Sequence, residues 1–169
     1  MASETPIVTR SNKWKTLKDL VNYKSGFLSD EESFSPAIIH GQLYEDEARD
    51  WANMELGLML EPTCIESGKY ASSLDGIDTN VIAEIKCPWS QNSSIYKSLA
   101  HDKVRDDHYD QIQHQLYTVK DDGIDLCFYI VYNTYIKRGY INEVRFNENH
   151  FSYIHESWEK FINKHQLNI

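Results

Sequence analysis

The sequence lacks the cysteine patterns that usually mark disulfide frameworks and structural zinc sites. Its three cysteines, Cys64, Cys87 and Cys127, are well separated and odd in number. They fit neither a disulfide framework nor a CxxC zinc pattern, and they are too few for an iron–sulfur cluster held by four cysteines. We therefore expect reduced, buried thiols in a cytoplasmic protein.

Several other common signals are missing as well. No apolar run is long enough to cross a membrane, and the N-terminus has no signal-peptide pattern. There is no glycine-rich phosphate loop, no internal repeat, and no histidine pair at i, i+4 with a third ligand, so histidine-bound metal is not expected. The 169 residues favour a single domain over 1–169.

Positive charge is also scarce, since 17 Lys and Arg face 26 Asp and Glu, for a net charge of −9. Affinity for nucleic acid rests largely on cations at phosphates, so weak non-specific DNA binding is expected. The cations are unevenly distributed, however, and residues 1–24 carry Arg10, Lys13, Lys15, Lys18 and Lys24. Residues 30–61 instead hold nine acids and one cation, Arg49.

The stretch 70–89 carries the most informative pattern. It reads as a strand over 70–74 that runs into Asp75 and Gly76, followed by a second strand over 81–86. Side chains alternate along a strand, which places Glu84 and Lys86 on one face with Ile82, and Val81, Ala83 and Ile85 on the other. Charges in a buried strand are costly unless they are paired or bind something. A hairpin would bring Asp75 beside Glu84.

These residue types suit metal-assisted hydrolysis of a phosphodiester. The carboxylates of Asp75 and Glu84 are the oxygen donors that Mg²⁺ or Mn²⁺ prefers, and the Ile85 carbonyl offers another. Lys86 would orient or deprotonate the attacking water, or offset charge on the phosphate. The alternative is an ordinary hairpin with a structural salt bridge between Glu84 and Lys86.

The pattern Asp75-x8-Glu84-x-Lys86, in the form LDG…AEIKCPW, resembles the core of the PD-(D/E)xK nuclease superfamily. EIKCPW is similar to the phage lambda-exonuclease/YqaJ group of recombination nucleases, with Leu74 where the superfamily often has Pro. The resemblance covers about residues 41–132. It implies a restriction-endonuclease-like α/β sandwich, with an αβββαβ core and a mixed sheet flanked by helices.

The resemblance also implies an activity and its partners. The expected enzyme is a Mg²⁺- or Mn²⁺-dependent exonuclease, with two ions, that degrades linear double-stranded DNA from 5′ to 3′. A single-strand annealing protein as partner and a ring-shaped homotrimer are also implied, in the host cytoplasm if the chain is phage-encoded. The group's 5′-phosphate pocket uses an N-terminal Arg, for which Arg10 and the early lysines are candidates.

Two helices carry further matches. Gly41, Glu45 and Ala48 match a G-x-x-x-E-x-x-A helix, whose Glu adds a metal ligand or a carboxylate behind the ligands. The alternative for Glu45 is a solvated helix acid. In a second helix, Gln111 matches a Gln that approaches the active site in that group.

Gln113 and Tyr117, in the same helix as Gln111, match a Q-x-x-x-Y pattern. We expect Gln115 to be a polar helix edge. The candidate DNA contacts are Gln113 and Tyr117 together with Lys13, Lys15, Lys97, Lys103 and Arg105. A solvated helix face explains the early lysines equally well. Trp89 would stack on a base or sugar, or cover the core.

The remaining elements follow from periodicity and capping residues. We expect a loose segment over 1–11, helices over 12–23, 35–60, 106–120 and 147–166, and strands over 63–67, 126–132 and 140–146. Three other functions stay open: an endonuclease of the same fold, restriction or structure-specific; a non-catalytic DNA- or partner-binding module; and an acidic mimic of DNA.

Overall fold

A mixed five-stranded sheet lies at the centre of the computed structural model, which describes residues 1–25, 35–99 and 103–167. The strands are β1 (Glu61–Ser67), β2 (Tyr70–Asp78), β3 (Val81–Lys86), β4 (Leu126–Asn133) and β5 (Arg138–Arg145), and they lie side by side in this order. β3 and β4 run parallel, whereas the other neighbours are antiparallel. The predicted α/β fold with a mixed sheet is confirmed.

Helices flank the sheet. They are α1 (Thr5–Val8), α2 (Leu17–Lys24), α3 (Pro36–Leu56), α4 (Ser94–Leu99), α5 (Asp106–Thr118) and α6 (Glu148–His165). α3 begins where the sequence predicts, because the Ser35 hydroxyl accepts the Ile38 N–H and Pro36 occupies the first turn. It ends at Gly57, whose φ of +66° favours glycine. No helix in the described ranges is long and apolar enough to span a membrane.

The two faces of the sheet bury different side chains. On the α3 side the buried residues are Ala48, Ala52, Leu60, Val81, Ala83, Ile85, Cys87, Ile130 and Tyr132. On the α5 side they include Leu74, Ile82, Ile112, Leu116, Cys127, Tyr129 and Val131. The predicted alternation along β3 is therefore confirmed. Cys64, on edge strand β1, is exposed, so the expectation of three buried thiols is wrong at that position.

The N-terminal segment differs from its prediction. Residues 1–11 are not loose, because a 3-10 turn (Ala2–Glu4) and α1 pack Ile7 and Val8 against α6. The predicted helix over 12–23 begins only at Leu17. Its start is fixed by Thr16, whose hydroxyl accepts the Asp19 N–H while the Asp19 carboxylate accepts the Thr16 N–H at 2.8 Å.

A buried polar network fastens this segment to α5. The carboxylate of Asp110 accepts hydrogen bonds from the hydroxyls of Thr9 at 2.5 Å and Ser11 at 2.6 Å. His150 Nε2 lies 2.6 Å from the other carboxylate oxygen. Polar residues of an apparently loose segment thus satisfy a buried acid, which explains why hydrophobicity alone did not predict their burial.

Candidate active site

Strands β2 and β3 separate at Asp75. Their pairing runs from Asp78 with Val81 to Gly76 with Ala83 and stops there. The predicted strand end at 74 is wrong, because β2 continues through Asp75 to Asp78. The Asp75 carboxylate instead accepts the Ile85 N–H at 2.7 Å and so replaces a backbone acceptor of the ladder. The two strands form a fork with a carboxylate at its base.

Gly76 is closely packed beside this fork. A Cβ at position 76 would lie 3.0 Å from Leu60 Cβ and 3.5 Å from Ala83 Cβ. The backbone of β2 therefore approaches its neighbours more closely at this point than a larger residue would easily allow. The tight packing of Gly76 helps to fix where the strand turns Asp75 towards β3.

Glu84 and Lys86 lie on the adjacent stretch of β3. Glu84 is fully buried, and its carboxylate accepts hydrogen bonds from the Lys86 ammonium and, at 2.6 Å, from the Gln115 amide. The salt bridge considered from the sequence is therefore present. A simple structural salt bridge does not explain Asp75, a second carboxylate enclosed beside the pair.

The electrostatics reflect this crowding. Burial and the neighbouring Glu84 carboxylate raise the pKa of the Asp75 carboxyl to about 8. Burial alone would lower the pKa of Lys86, but the charges of Glu84 and Asp75 raise it above its ordinary value. One ammonium is thus shared by two carboxyl groups, an arrangement that a further cation would stabilise.

Arg49 connects helix α3 to the fork. This buried side chain donates from Nε to the Asp75 carbonyl at 2.6 Å, from Nη2 to Glu45 at 3.0 Å and from Nη1 to Asp46 at 2.8 Å. Arg49 thereby holds the Glu45 carboxylate near the backbone of Asp75. Sequence reasoning missed Arg49, although its position as the one cation among nine acids over 30–61 was an available signal.

The donor set fits a divalent cation with few protein ligands. Within the described ranges, no three His, Cys, Asp or Glu side chains already cluster closely enough to hold a metal ion. Mg²⁺ usually needs only one or two carboxylates, because water and substrate phosphate complete its shell. Asp75 and Glu84 meet this requirement, whereas Glu45 is engaged by Arg49. The Ile85 carbonyl stays a predicted ligand.

Helix α5 contacts Glu84 through Gln115, a residue for which the sequence predicted no role in the site. Gln115 is fully buried and donates to Glu84, so the expectation that it is a polar helix edge is wrong. Gln111 lies one turn earlier and half-buried, and its catalytic role stays a prediction. The two are four residues apart and share a helix face, so the sequence pattern alone did not separate them.

Gln113 and Tyr117, two predicted DNA contacts, pack against the beginning of α6. The fully buried Gln113 amide donates to the Arg145 carbonyl at 2.9 Å and accepts the Asn147 N–H at 2.7 Å. Gln113 is therefore not accessible to a nucleic acid. Tyr117 is half-buried and stacks on Phe151, with ring centroids 3.8 Å apart, and its DNA contact stays a prediction.

The candidate cations are only partly brought together. Lys13, Lys103 and Arg105 line one open cavity of about 210 Å³ at the N-terminus of α5. Arg105 is already paired there with Asp107. Lys15 and Lys97 are exposed at other places on the surface.

Arg10 lies away from the cavity at the N-terminus of α5. It lines a different groove, with Lys160 and Lys164 of α6. The cations of the N-terminal segment therefore face at least two separate surfaces.

The N-terminus of α5 also lies close to Lys86. His108 Nδ1 is 2.6 Å from the Tyr129 hydroxyl. Burial and the charge of Lys86 lower the pKa of His108 to about 3, so this imidazole is neutral at physiological pH. The cavity lined by Lys13 and Lys103 also includes Arg105 and Asp107, whose charges act on this same imidazole.

Fold and site together define an α/β protein with two acids and a lysine at a forked strand pair. An alkaline exonuclease, LHK-Exo from Laribacter hongkongensis, shares this fold with a TM-score of 0.79 at 16% identity, over 98% of this chain and 86% of that one. Its complex with dAMP gives 0.80 at 18% identity, with the same coverage. A phage-related exonuclease from Haemophilus somnus 129PT gives 0.79 at 13% identity, over 97% of this chain and 92% of that one.

The sequence itself matches no protein-family model and no curated protein. At these low identities the solved structures establish the fold and nothing more about this chain. The fold expected from the resemblance is confirmed, because this chain and the two exonucleases share it over nearly their whole lengths.

Proposed function

We propose that this protein is a metal-dependent deoxyribonuclease that hydrolyses phosphodiester bonds. The observation that carries the proposal is the fork at Asp75, which encloses two carboxyl groups and one ammonium at the edge of β3. Buried charge of this kind opposes folding, and it is typical of functional sites, where the function requires it. The two exonucleases that share the fold add support by analogy.

Each residue of the site has its own proposed role. Asp75 and Glu84 would hold Mg²⁺ or Mn²⁺ with the Ile85 carbonyl as a further oxygen ligand, and Glu45, which Arg49 engages, would lie behind them. When bound, the metal lowers the pKa of its water and neutralises charge on the phosphate. Gln115 fixes the orientation of Glu84 through its amide. Because Glu84 and Asp75 keep Lys86 protonated, we assign Lys86 to orienting the water and offsetting negative charge on the phosphate.

The finer proposal is a lambda-type exonuclease. It would use two metal ions, act from 5′ to 3′ on linear double-stranded DNA, and operate in the cytoplasm as a homotrimer beside a single-strand annealing protein. The sequence EIKCPW and the names of the fold neighbours, an alkaline exonuclease and a phage-related exonuclease, support it. Lys13, Lys103 and Arg105 offer a cation cluster beside the site for phosphate.

A cleavage assay on three DNAs tests the proposal. Linear duplex with 5′-phosphates, linear duplex with 5′-hydroxyls and closed circular duplex are incubated with Mg²⁺, with EDTA, and with the Glu84→Ala variant. We expect Mg²⁺-dependent loss of the linear forms only, faster with the phosphate. Cleavage of the circle would replace the exonuclease with an endonuclease. Absence of cleavage on every DNA would overturn the enzymatic proposal in favour of a binding module.

A further inference from the structure

Two exposed aromatic rings stand beside the candidate site. Trp89, three residues after β3, is 52% exposed, and Tyr135, in the turn between β4 and β5, is 59% exposed. The Tyr135 hydroxyl donates to the Trp89 carbonyl at 3.2 Å, which ties the two segments together. We call this pair the aromatic shelf.

The shelf rests on a fixed base. The buried ring of His40, from α3, meets Trp89 edge to face at a centroid distance of 5.2 Å. His40 Nε2 lies 3.2 Å from the hydroxyl of Thr134, the residue before Tyr135. Helix α3, the end of β3 and the β4–β5 turn thus converge beneath the shelf. Rings held in this way lose little conformational entropy when a ligand stacks on them.

The shelf lies within reach of a substrate at the fork. Trp89 is the third residue after Lys86, which limits their Cα separation to about 11 Å, or about three base steps of 3.4 Å along a DNA strand. Along α3, His40 precedes Glu45 by five residues, a rise of about 7.5 Å. A nucleotide next to the scissile phosphate would therefore meet the shelf.

The charged residues around the shelf favour contact with the base of a nucleotide over contact with its phosphate. Glu45, Asp46 and Glu47 follow His40 on α3, and Lys137 beside Tyr135 is already paired with Glu47. These three acids face two cations, Arg49 and Lys137, and the remaining negative charge disfavours phosphate oxygens, whereas an uncharged aromatic base carries no such penalty. Stacking also provides the attraction that a chain with a net charge of −9 gains only weakly from phosphate contacts.

We propose that the aromatic shelf of Trp89 and Tyr135 is a stacking platform for an unpaired nucleobase of the DNA strand that lies beside the fork. The proposal rests on the function proposed above, which makes DNA the substrate. It assigns the shelf to single-stranded DNA, without preference among the four bases, because every base has an aromatic face.

Binding of a short fluorescent single-stranded oligonucleotide in EDTA tests this platform without cleavage. Alanine substitution at a stacked position costs about 1–3 kcal/mol per base, so Trp89→Ala should weaken binding by about 5- to 150-fold. Tyr135→Ala should weaken binding by a similar or smaller factor. Met59→Ala is the control for loss of an exposed apolar side chain, because Met59 is 77% exposed and its N–H donates to Asp78, beside the start of β3 and not its end; it should bind as tightly as the wild type.

An abasic oligonucleotide separates stacking from indirect effects. Removing the contacted base should weaken wild-type binding by the same factor as Trp89→Ala, and the variant should lose nothing more. Tryptophan fluorescence should be quenched by the intact oligonucleotide in the wild type and in Met59→Ala, and far less in Trp89→Ala. Circular dichroism confirms that each variant is folded.

The outcomes are separable from those of the cleavage assay. If Trp89→Ala and Tyr135→Ala, both folded, bind DNA like the wild type, the shelf proposal is wrong even if the protein cleaves DNA. If light scattering shows that Trp89→Ala dissociates an oligomer while DNA binding is unchanged, the shelf is an interface between copies instead. If stacking is observed but no DNA is cleaved, the shelf stands and the nuclease proposal fails.

Discussion

This protein buries carboxylates in two regions, and it treats them in opposite ways. Asp110, only 4% exposed, accepts hydrogen bonds from Thr9 and Ser11 and lies against His150. Its partners are mostly neutral hydroxyls, and they come from two other segments of the chain, the N-terminal segment and α6. This acid fastens the N-terminal segment to helices α5 and α6, and its hydrogen bonds are complete without any ligand.

At the fork, the charges of Asp75 and Glu84 act on each other, and the Lys86 ammonium is paired with Glu84. Asp75 receives one backbone N–H, and its pKa is raised to about 8 by burial and by Glu84. Donors for the second carboxylate come from Lys86 and Gln115. Burial of an acid therefore does not by itself indicate a functional site. Repulsion between two neighbouring carboxylates, which the surrounding groups do not fully compensate, is what indicates one.

The largest expected effect comes from removing the negative charge of one acid of the fork. Glu84→Gln keeps the shape of the side chain but loses a metal ligand, so cleavage of linear duplex should fall by about a thousandfold or more. Asp110→Asn is the matched control for a buried acid, and it should keep most activity at a temperature where it is folded. Near-normal turnover by Glu84→Gln would remove Glu84 from the site.

Arg49→Lys should separate charge from geometry on the α3 side. Lysine keeps the positive charge but cannot reach the Asp75 carbonyl, Glu45 and Asp46 together. We expect metal affinity, measured by calorimetric titration with Mn²⁺, to weaken by about 10- to 100-fold. Arg145→Lys, at an exposed pair with Asp125, should leave the affinity unchanged. Equal affinities in both variants would make Arg49 a purely structural residue.

Gln115→Leu tests the amide behind Glu84. Losing this hydrogen bond should let Glu84 reorient and reduce turnover by about tenfold or more, with little change in substrate KM. Gln111→Leu, one helical turn away, provides the comparison in steady-state kinetics. A larger loss in Gln111→Leu than in Gln115→Leu would restore the role predicted for Gln111 from the sequence.

Asp110→Ala should affect stability and spare chemistry. It leaves buried hydroxyls and His150 without their acceptor, at a cost of about 1–3 kcal/mol. For a chain of this size each kcal/mol lowers Tm by about 2–4 °C, which thermal unfolding followed by circular dichroism measures. If cleavage below Tm is lost together with stability, the two regions are not independent.

The smallest expected effect is a gain. In metal-free protein the raised pKa of Asp75 means that folding favours its protonated form, so stability should fall as pH rises between about 4 and about 8. Asp75→Asn removes this titration. It should raise the Tm of the metal-free protein at pH 8 by a few degrees, which corresponds to a gain of about 1 kcal/mol in the free energy of unfolding. Urea unfolding at pH 5 and pH 8 checks the sign. A variant less stable than the wild type at pH 8 would contradict the raised pKa.

The sequence by itself determined the local chemistry of this protein. Alternation along β3 placed Glu84 and Lys86 on one face, because side chains alternate in any strand. Ser35 and Pro36 fixed the start of α3, since caps act within a single turn. The order of helices and strands then gave the αβββαβ core and the mixed sheet, which the structure confirms.

Tertiary structure decided which of these local features meet. Gln111 and Gln115 share a helix face. The position at which α5 packs against β3 makes Gln115 the partner of Glu84. Leu60 packs against Gly76 beside the fork, and Arg49 reaches the fork from a separate helix. Helical and strand periods repeat over a few residues, whereas the register between elements is set by packing of side chains far apart in the chain.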